Sequence, residues 1–342
     1  MIIRARAPLR ISFSGGGTDL PPYPEERGGL VLTATIARYA YASLRSLQER
    51  FLKVNSRDFK TIVHFALDEP LVYDGKLDLI KACLNRLMPE STPESNGAEL
   101  YLESDVPAGS GLGGSSSLVV AAIGALCRWS HLSLDKYKMA HLAWEIERKD
   151  VGIPGGMQDQ YAAVFGGFNL IEFYGPGKVV VNPLRVESHI VNELQYNLLM
   201  VYMGSRTSDH IIEEQMSGYI KRQSNVLEAM DRMKELTIDA KNALLTGRLN
   251  ELGAILHEEW LQKKRTAASV TTARIDEMYE EARRLGAIGG KVSGAGGGGF
   301  MFLYCPFDRK PAVAERLTQM GGEVSSIAFD LEGMRAWTWK KD

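Results

Sequence analysis

The chain has 342 residues, 45% of them hydrophobic, which excludes a disordered protein and is enough for two domains or one large domain. Its 40 Lys and Arg against 42 Asp and Glu give a net charge of −2, so no global attraction to nucleic acid or to an anionic membrane is expected. The three cysteines, Cys83, Cys127 and Cys305, are isolated, which argues against a disulfide scaffold or a cysteine zinc site.

The sequence carries no clear targeting signal. Met1 to Arg10 is basic but lacks the continuous apolar region of a signal peptide. The most apolar run, Leu118 to Cys127, is half the length that a membrane span needs. We therefore expect a cytoplasmic protein with neither membrane nor nucleic acid as a partner.

Short strands and two helices are predicted for the first half. Runs rich in Val, Ile and Tyr predict strands at Ile2–Ala7, Leu30–Thr35, Tyr39–Ser43, Phe51–Asn55, Ile62–Phe65 and Ala98–Ser104. The first helix, Ser115 to Trp129, is apolar almost all round and is therefore expected to be buried. The second, Leu134 to Lys149, has apolar residues at helical spacing. A hairpin is predicted from Gly166–Tyr174 and Lys178–Val181.

The second half is predicted to be mainly helical. Helical patterns cover 208–236, 238–246, 248–264, 272–285 and 309–320. Strands are predicted at Leu198–Met203, Phe300–Cys305, Val324–Asp330 and Arg335–Trp339. Because strands and helices segregate rather than alternate, the pattern favours an α+β fold over a doubly wound sheet. We expect two domains, 1–185 and 186–342.

Glycines cluster in three loops, here called loop one (residues 14–19), loop two (107–117) and loop three (291–299). Such clusters let backbone N–H groups approach an anion closely. Loop two opens the predicted buried helix, where free N–H groups and the helix dipole favour phosphate. Loop two is therefore the predicted anion-binding site.

Two familiar nucleotide motifs do not explain loop two. Gly109, Gly111 and Gly114 have the spacing of the dinucleotide fingerprint, but the acid about twenty residues on, Asp135, begins a helix instead of ending a strand. A Walker A loop requires lysine where Ser115 stands. We therefore set aside both interpretations.

The three loops together resemble the three motifs of the GHMP small-molecule kinases, such as galactokinase, homoserine kinase and mevalonate kinase. Ala7-Pro8-Leu9-Arg10-Ile11 running into loop one is similar to the first motif, loop two to the ATP-cradling second, and loop three to the third. The matches occur in the family's order. The resemblance implies an N-terminal α+β domain like a ribosomal-protein module, a C-terminal α+β domain, and an active site in the cleft between them.

The resemblance also implies ATP and Mg²⁺ as cofactors. It assigns the nucleotide to Pro107, Gly109, Ser110, Gly111, Leu112, Gly113, Gly114, Ser115 and Ser116. Ser115 is the implied hydroxyl ligand of Mg²⁺, with Ser116 as the nearest alternative. The segment 145–160 resembles the galactokinase stretch in which the Mg²⁺ glutamate and the catalytic aspartate lie twelve residues apart, which selects Glu147 and Asp159. The helical wheel alone leaves Glu145 and Glu147 open.

The remaining roles follow from the same resemblance and from charge. Asp159 is expected in a partly buried glycine-rich turn, where it accepts the proton of a sugar hydroxyl. Arg10 matches the catalytic basic position, where it would keep Asp159 charged and stabilise the transferred group. Arg206 and Lys264 are the candidate cations for a substrate phosphate. The expected substrate contacts are Gly15, Gly16, Gly17, Thr18, Asp19, Gly156, Arg206, Lys264, Gly296 and Gly297, of which Asp19 matches the family's sugar-hydroxyl-binding aspartate.

The substrate class is narrowed by one departure from the galactokinases. Gly16 stands where they carry a sugar-binding glutamate, which argues against galactose. Loop one and residues 155–160 look most like the heptose 7-phosphate 1-kinases, and L-fucokinase-type enzymes share much of this pattern. We expect a sugar 1-kinase acting on a sugar phosphate, with a homodimer left open. A non-catalytic sugar- or nucleotide-binding regulator and a decarboxylase of the family are the alternatives.

Overall fold

The computed structural model describes residues 2–48, 51–57, 61–66, 70–88, 97–206 and 209–340. Its strands are β1 (Ile2–Ser14), β2 (Gly29–Ser46), β3 (Phe51–Ser56), β4 (Thr61–Ala66), β5 (Ala98–Ser104), β6 (Phe168–Phe173), β7 (Val179–Pro183), β8 (Leu198–Tyr202), β9 (Gly289–Val292), β10 (Phe300–Tyr304), β11 (Glu323–Ser325) and β12 (Arg335–Trp339). Its helices are α1 (Tyr23–Arg27), α2 (Asp78–Leu87), α3 (Gly114–Trp129), α4 (Lys136–Glu145), α5 (Gln158–Phe165), α6 (Ser188–Asn197), α7 (Asp209–Ile220), α8 (Ser224–Leu245), α9 (Leu249–Thr266), α10 (Ala273–Arg284) and α11 (Lys310–Gln319). A π-helical turn, Ile146–Asp150, extends α4. The α+β class is confirmed.

The strands formed by the described residues make one eight-stranded and one four-stranded sheet. The larger has the order β12-β1-β2-β5-β3-β4, with β6 paired to both β2 and β7. The smaller has the order β11-β8-β10-β9 and is antiparallel throughout. The centre of the larger sheet is the long β1–β2 pair, which ends at Ser14, so the start of loop one is held at a strand terminus.

The two strands predicted between residues 30 and 43 are one strand in the structure. Opposite β1, the register shifts so that Pro8 pairs with Tyr39 and Leu9 pairs with Ile36. Two residues of β2 therefore bulge out of the ladder. This bulge is the physical reason for the break that the sequence pattern showed.

Helix α3 is buried, as predicted. It packs on β1 and β2, and its central residues Val119 to Ile123 have no exposed surface. Because the helix is fixed along its length, its N-terminus holds the end of loop two in place.

The two halves share a hydrophobic core. Leu9, Ile11 and Phe13 of β1 pack in one cluster with side chains of β8 and β10. Phe13 meets Phe302 edge-on at 6.0 Å between ring centroids. The predicted boundary near residue 185 lies between β7 and α6, and β12 returns across it to pair with β1. We propose a domain division at this point, with the last strand belonging to the first domain.

Several other elements differ from the prediction. Helices α1, α2, α5 and α6 and strand β9 were not predicted. The helical pattern at 208–236 is two helices, separated near Arg222, whose φ is +54°. The predicted helix 238–246 is the end of α8, and the strand predicted at Val324–Asp330 is reduced to β11. None of the helices formed by the described residues is long and apolar enough to cross a membrane.

Candidate active site

A cleft of about 530 Å³ brings the three loops together. Its lining includes apolar side chains, among them Leu79, Val106 and Leu118. It also includes polar side chains and the backbone of Gly16 and Gly17. This volume and this mixed lining are within the usual range for a ligand site.

Loop two follows the wall of the cleft into the N-terminus of α3. Gly111 and Gly113 have φ values of +79° and +76°, a backbone conformation that turns successive N–H groups toward one side. Eight of the nine residues predicted for the nucleotide line the cleft: Pro107, Gly109, Ser110, Gly111, Gly113, Gly114, Ser115 and Ser116. Leu112 does not, because its side chain is fully buried in the core and its carbonyl accepts from the Arg10 N–H.

Arg10 and Asp159 form a pair beside loop two. Both Arg10 Nε and Nη2 lie 2.7 Å from Asp159 Oδ1. Arg10 Nη1 donates to the Gly111 carbonyl at 2.8 Å, which ties the pair to loop two. Because both Arg10 contacts use Oδ1, Oδ2 is left facing Gly113, where a Cβ would lie 3.3 Å away. A reacting hydroxyl can therefore approach Asp159 through Oδ2.

Asp159 lies in the first turn of α5 and not in a glycine-rich turn as expected. No side chain of α5 caps its start; Asp19 does so from loop one. Asp19 Oδ2 accepts from the backbone N–H groups of Met157 and Gln158, each at 3.0 Å. Asp19 Oδ1 accepts from Gly17 N and Gln158 Nε2, both at 3.1 Å.

These four bonds fill the acceptor positions of the Asp19 carboxylate. The structure therefore gives Asp19 a positioning contact with the helix that carries Asp159. Asp19 also lines the cleft, and its role in binding a sugar hydroxyl stays a prediction. Gly156 is required beside it, since a Cβ there would lie 2.0 Å from Asp19 Oδ2.

Glu147 lies in the π-helical turn and faces the start of α3. Its side chain is 1% exposed, and it accepts from Ser115 Oγ at 2.8 Å and Ser116 Oγ at 2.7 Å. Gln160 Nε2 also donates to it. The π turn shifts the helical phase, a change found often at functional sites. It brings Glu147 and Ser115 together as the sequence analysis predicted.

Glu145, the alternative acid, belongs to a different surface. It forms an ion pair with Lys149 at 2.9 Å and does not line the cleft. Among the described residues, no group of three His, Cys, Asp or Glu side chains could hold a metal by itself. One buried carboxylate beside two hydroxyls at a phosphate loop suits Mg²⁺, which keeps waters and uses substrate phosphates as ligands.

Loop one contributes backbone to the cleft. Gly16 and Gly17 line it, as predicted. Gly15 and Thr18 do not: the Gly15 N–H donates to Glu259 at 2.8 Å, and the Thr18 hydroxyl donates to the Leu30 carbonyl at 3.0 Å. These two predicted substrate contacts instead fix the shape of the loop.

Arg206 lies between loops two and three. Its Nη1 donates to the Gly296 carbonyl, and a Cβ at Gly111 would lie 3.0 Å from its Nη2. Burial, with repulsion from Arg10, lowers its pKa to about 10, so it is still charged at neutral pH. Gly296 and Gly297 were predicted substrate contacts, but they pack on Val270 and Ile211, outside the cleft lining. Thr207 and Ser208, which follow Arg206, lie outside the described residues.

Lys264, the predicted phosphate-binding lysine, lies away from the cleft. Its Nζ pairs with Asp276 at 3.2 Å, and it does not line the cleft. The preceding residue, Lys263, does line it. Two further cleft residues, Arg148 and Gln158, were not predicted; in sequence they precede and follow Gly156. For Lys263, the one signal in the sequence was its spacing from Glu259, since residues four apart share a helix face.

The family assignment agrees with this geometry. Residues 78–167 match the GHMP kinases N terminal domain, and residues 240–323 match the GHMP kinases C terminal family. The chain belongs to the GHMP kinase family. It has the two-domain fold of that family and is an ATP-dependent sugar kinase.

Relatives of this GHMP kinase cover its whole length. D-glycero-alpha-D-manno-heptose 7-phosphate kinase of Campylobacter jejuni subsp. jejuni serotype O:2 is 39% identical over 98% of both chains. The crystal structure of a D-glycero-D-manno-heptose 1-phosphate kinase from Bacteriodes thetaiotaomicron is 35% identical, with a TM-score of 0.83 over 99% of this chain and 100% of the other. Lactococcus lactis galactokinase complexed with galactose shares the fold, with 20% identity and a TM-score of 0.78 over 98% of this chain and 95% of the other.

Proposed function

We propose that this GHMP kinase transfers the γ-phosphoryl group of ATP to the anomeric C1 hydroxyl of D-glycero-D-manno-heptose 7-phosphate, giving the 1,7-bisphosphate. The Arg10–Asp159 pair beside loop two carries the proposal of phosphoryl transfer. The full-length likeness to the Campylobacter enzyme supports the choice of sugar. A cytoplasmic location and a homodimer stay predictions from the sequence.

The contacts of Asp159 indicate which of its oxygens meets the sugar hydroxyl. The sugar C1 hydroxyl approaches Asp159 Oδ2, since Oδ1 is held by Arg10. As the new bond forms between the C1 oxygen and the γ-phosphorus, the bond from that phosphorus to the bridging oxygen breaks and ADP leaves. The hydroxyl proton passes to Oδ2, which acts as general base. Arg10 fixes the carboxylate in place and brings positive charge to the equatorial phosphoryl oxygens.

Arg206 lies close to the same pair. Its guanidinium adjoins Gly111, whose carbonyl accepts from Arg10, and its charge interacts with those of Arg10 and Asp159. We therefore propose that Arg206 binds the phosphoryl group in transfer; the sequence analysis had assigned it to the sugar's own phosphate. A guanidinium suits this role because it offers several donors in one plane.

We propose that Ser115 and Glu147 hold Mg²⁺. Their side chains already meet through a 2.8 Å hydrogen bond, which joins the π-helical turn of Glu147 to the first turn of α3. When bound there, the ion would neutralise charge on the ATP phosphates. The chain itself supplies one hydroxyl oxygen and one carboxylate oxygen in a fixed arrangement.

Glu147→Gln and Ser115→Ala are each expected to raise the Mg²⁺ concentration needed for half-maximal rate by roughly tenfold, because each removes one of few protein oxygen ligands. The measurement is initial rate against Mg²⁺ at fixed ATP. Glu145→Gln is the matched control, since Glu145 pairs with Lys149 on the surface, and it should leave the Mg²⁺ requirement unchanged. A larger effect from Glu145→Gln would reverse the assignment of the acid.

A screen of ADP release over free and phosphorylated sugars tests the proposed substrate. We expect heptose 7-phosphate to have the highest kcat/KM and galactose to be inactive. Faster turnover of L-fucose or free heptose would favour the fucokinase-type alternative. No ADP release with any sugar would favour the non-catalytic regulator.

A further inference from the structure

A buried lysine lies in the cleft beside loop one. Lys263, on α9, is 2% exposed and lines the cleft together with Gly16, Gly17 and Asp19. Its Nζ donates to the Gly16 carbonyl at 2.9 Å and to Gln215 Oε1 at 3.2 Å. Both acceptors are neutral oxygens. An ammonium group has three N–H donors, so one remains for a ligand in the cleft.

The charges around Lys263 come from four parts of the chain. Asp19 of loop one and Glu259 of α9 attract the ammonium, whereas Lys291 of β9 and Arg206 repel it. Burial is the largest influence, and with Lys291 it lowers the pKa of Lys263 to about 7. Glu259 is already bonded to Lys291 at 3.0 Å, so its charge is shared. A lysine in this position gains its full charge when an anion binds beside it.

The position of Lys263 selects which part of a substrate it would meet. The phosphoryl group in transfer has to lie beside Asp159, where Arg10 and Arg206 are already placed. Lys263 instead adjoins loop one, and a Cβ at Gly17 would lie 3.1 Å from its Nζ. Asp159, Gly16, Gly17 and Lys263 line the same cleft, so a sugar whose C1 hydroxyl meets Asp159 can place its remote end beside loop one.

We propose that Lys263 binds the non-transferring phosphate of the sugar phosphate and takes up a proton from solvent as that phosphate binds. This inference rests on the proposed function, because it requires a substrate that already carries a phosphate. It makes Lys263 the residue that distinguishes a phosphorylated sugar from a free one. The phosphate would then supply the acceptor for the third N–H of Lys263, whose other two acceptors are neutral oxygens.

A purely structural role predicts something different. If Lys263 only holds the Gly16 carbonyl, its loss would disturb loop one for every sugar, phosphorylated or not. If it binds the phosphate, its loss would affect only substrates that have one. The comparison of two substrates therefore separates the two roles.

The first experiment compares heptose 7-phosphate with free heptose in Lys263→Met. We expect kcat/KM to fall roughly 100-fold for the sugar phosphate and less than about threefold for the free sugar, because only the first loses a charge-assisted contact. Lys264→Met is the matched control and should leave both values unchanged, since Lys264 pairs with Asp276 outside the cleft. An equal loss on both substrates would overturn the proposal while leaving the proposed function intact.

The second experiment needs no variant. Above pH 7, kcat/KM for the sugar phosphate should fall toward tenfold per pH unit, because the free enzyme loses the Lys263 proton while the substrate phosphate, with a second pKa of about 6, stays a dianion. Calorimetry at pH 8 in two buffers of different ionisation enthalpy should show close to one proton taken up per heptose 7-phosphate bound. No uptake by the wild-type protein would overturn the proposal, and a wild-type preference for free sugars would overturn both it and the proposed function.

Discussion

Asp159→Asn is expected to lower kcat by roughly 10²- to 10⁴-fold, the range for loss of a general base. The amide keeps an oxygen that can accept from Arg10, so the Arg10 contact and the start of α5 should persist. It can no longer take the proton of the C1 hydroxyl. The measurement is steady-state ADP release at saturating ATP and sugar phosphate, together with the affinity for a non-hydrolysable ATP analogue, which should not change.

Asp150→Asn is the control for this variant. Asp150 pairs with Arg86 at 2.7 Å and is outside the cleft lining, so turnover should stay at the wild-type rate. If Asp159→Asn retained near-wild-type kcat, Asp159 would be a hydrogen-bond partner of the substrate and not its base.

Arg10→Met should lower kcat by roughly 10²- to 10³-fold, because it removes a preorganised donor at the site where charge develops. Arg10 is 4% exposed and joins Asp159 to the Gly111 carbonyl, so its loss also frees Asp159 from a fixed position. Arg10→Lys should recover only a small part of the rate, because a single ammonium cannot make both contacts. The measurement is kcat, with the urea unfolding midpoint reported for each variant.

Arg6→Lys, on the same strand, is the matched control. Arg6 pairs with Glu332 at 3.3 Å on the surface, so this variant should keep wild-type turnover. If Arg10→Lys kept the wild-type kcat, positive charge alone would suffice. The paired contacts of the Arg10 guanidinium with Asp159 and the Gly111 carbonyl would then have no catalytic role.

The regular elements were predictable where local pattern decides structure. Strands Ala98–Ser104 and Arg335–Trp339 were predicted to the residue, because alternating side chains bounded by turn residues specify a strand locally. That the last strand pairs with β1 was not predictable. Strand pairing over more than 300 residues depends on the packing of the whole molecule, as the Ile2–Trp339 register shows.

The position of the site was predictable from its motifs, and the orientation of its helices was not. The π-helical turn that brings Glu147 to Ser115 is absent from an ideal helical wheel, which left Glu145 equally open. Lys263 and Lys264 are neighbours in sequence, but α9 is turned so that only Lys263 faces the cleft. The rotation of a helix follows from its whole packed face, so a charge cluster in the sequence does not show which member is inside.

Asp19 shows a second limit of motif-based assignment. Its identity in loop one pointed to sugar binding, but in the fold it caps α5 across 138 residues of sequence. Short helices such as α5 have too few residues for a periodic pattern, so their caps cannot be recognised in advance. The capping contact of Asp19 became visible only with the positions of Met157 and Gln158.

The most direct measurement is the ³¹P NMR spectrum of the product formed by the wild-type protein from ATP, Mg²⁺ and heptose 7-phosphate. The proposed function predicts one ADP per sugar, a retained signal from the C7 phosphate, and a new phosphate signal coupled to the anomeric proton H1. Release of inorganic phosphate without a new sugar signal, or a new phosphate on a carbon other than C1, would contradict it.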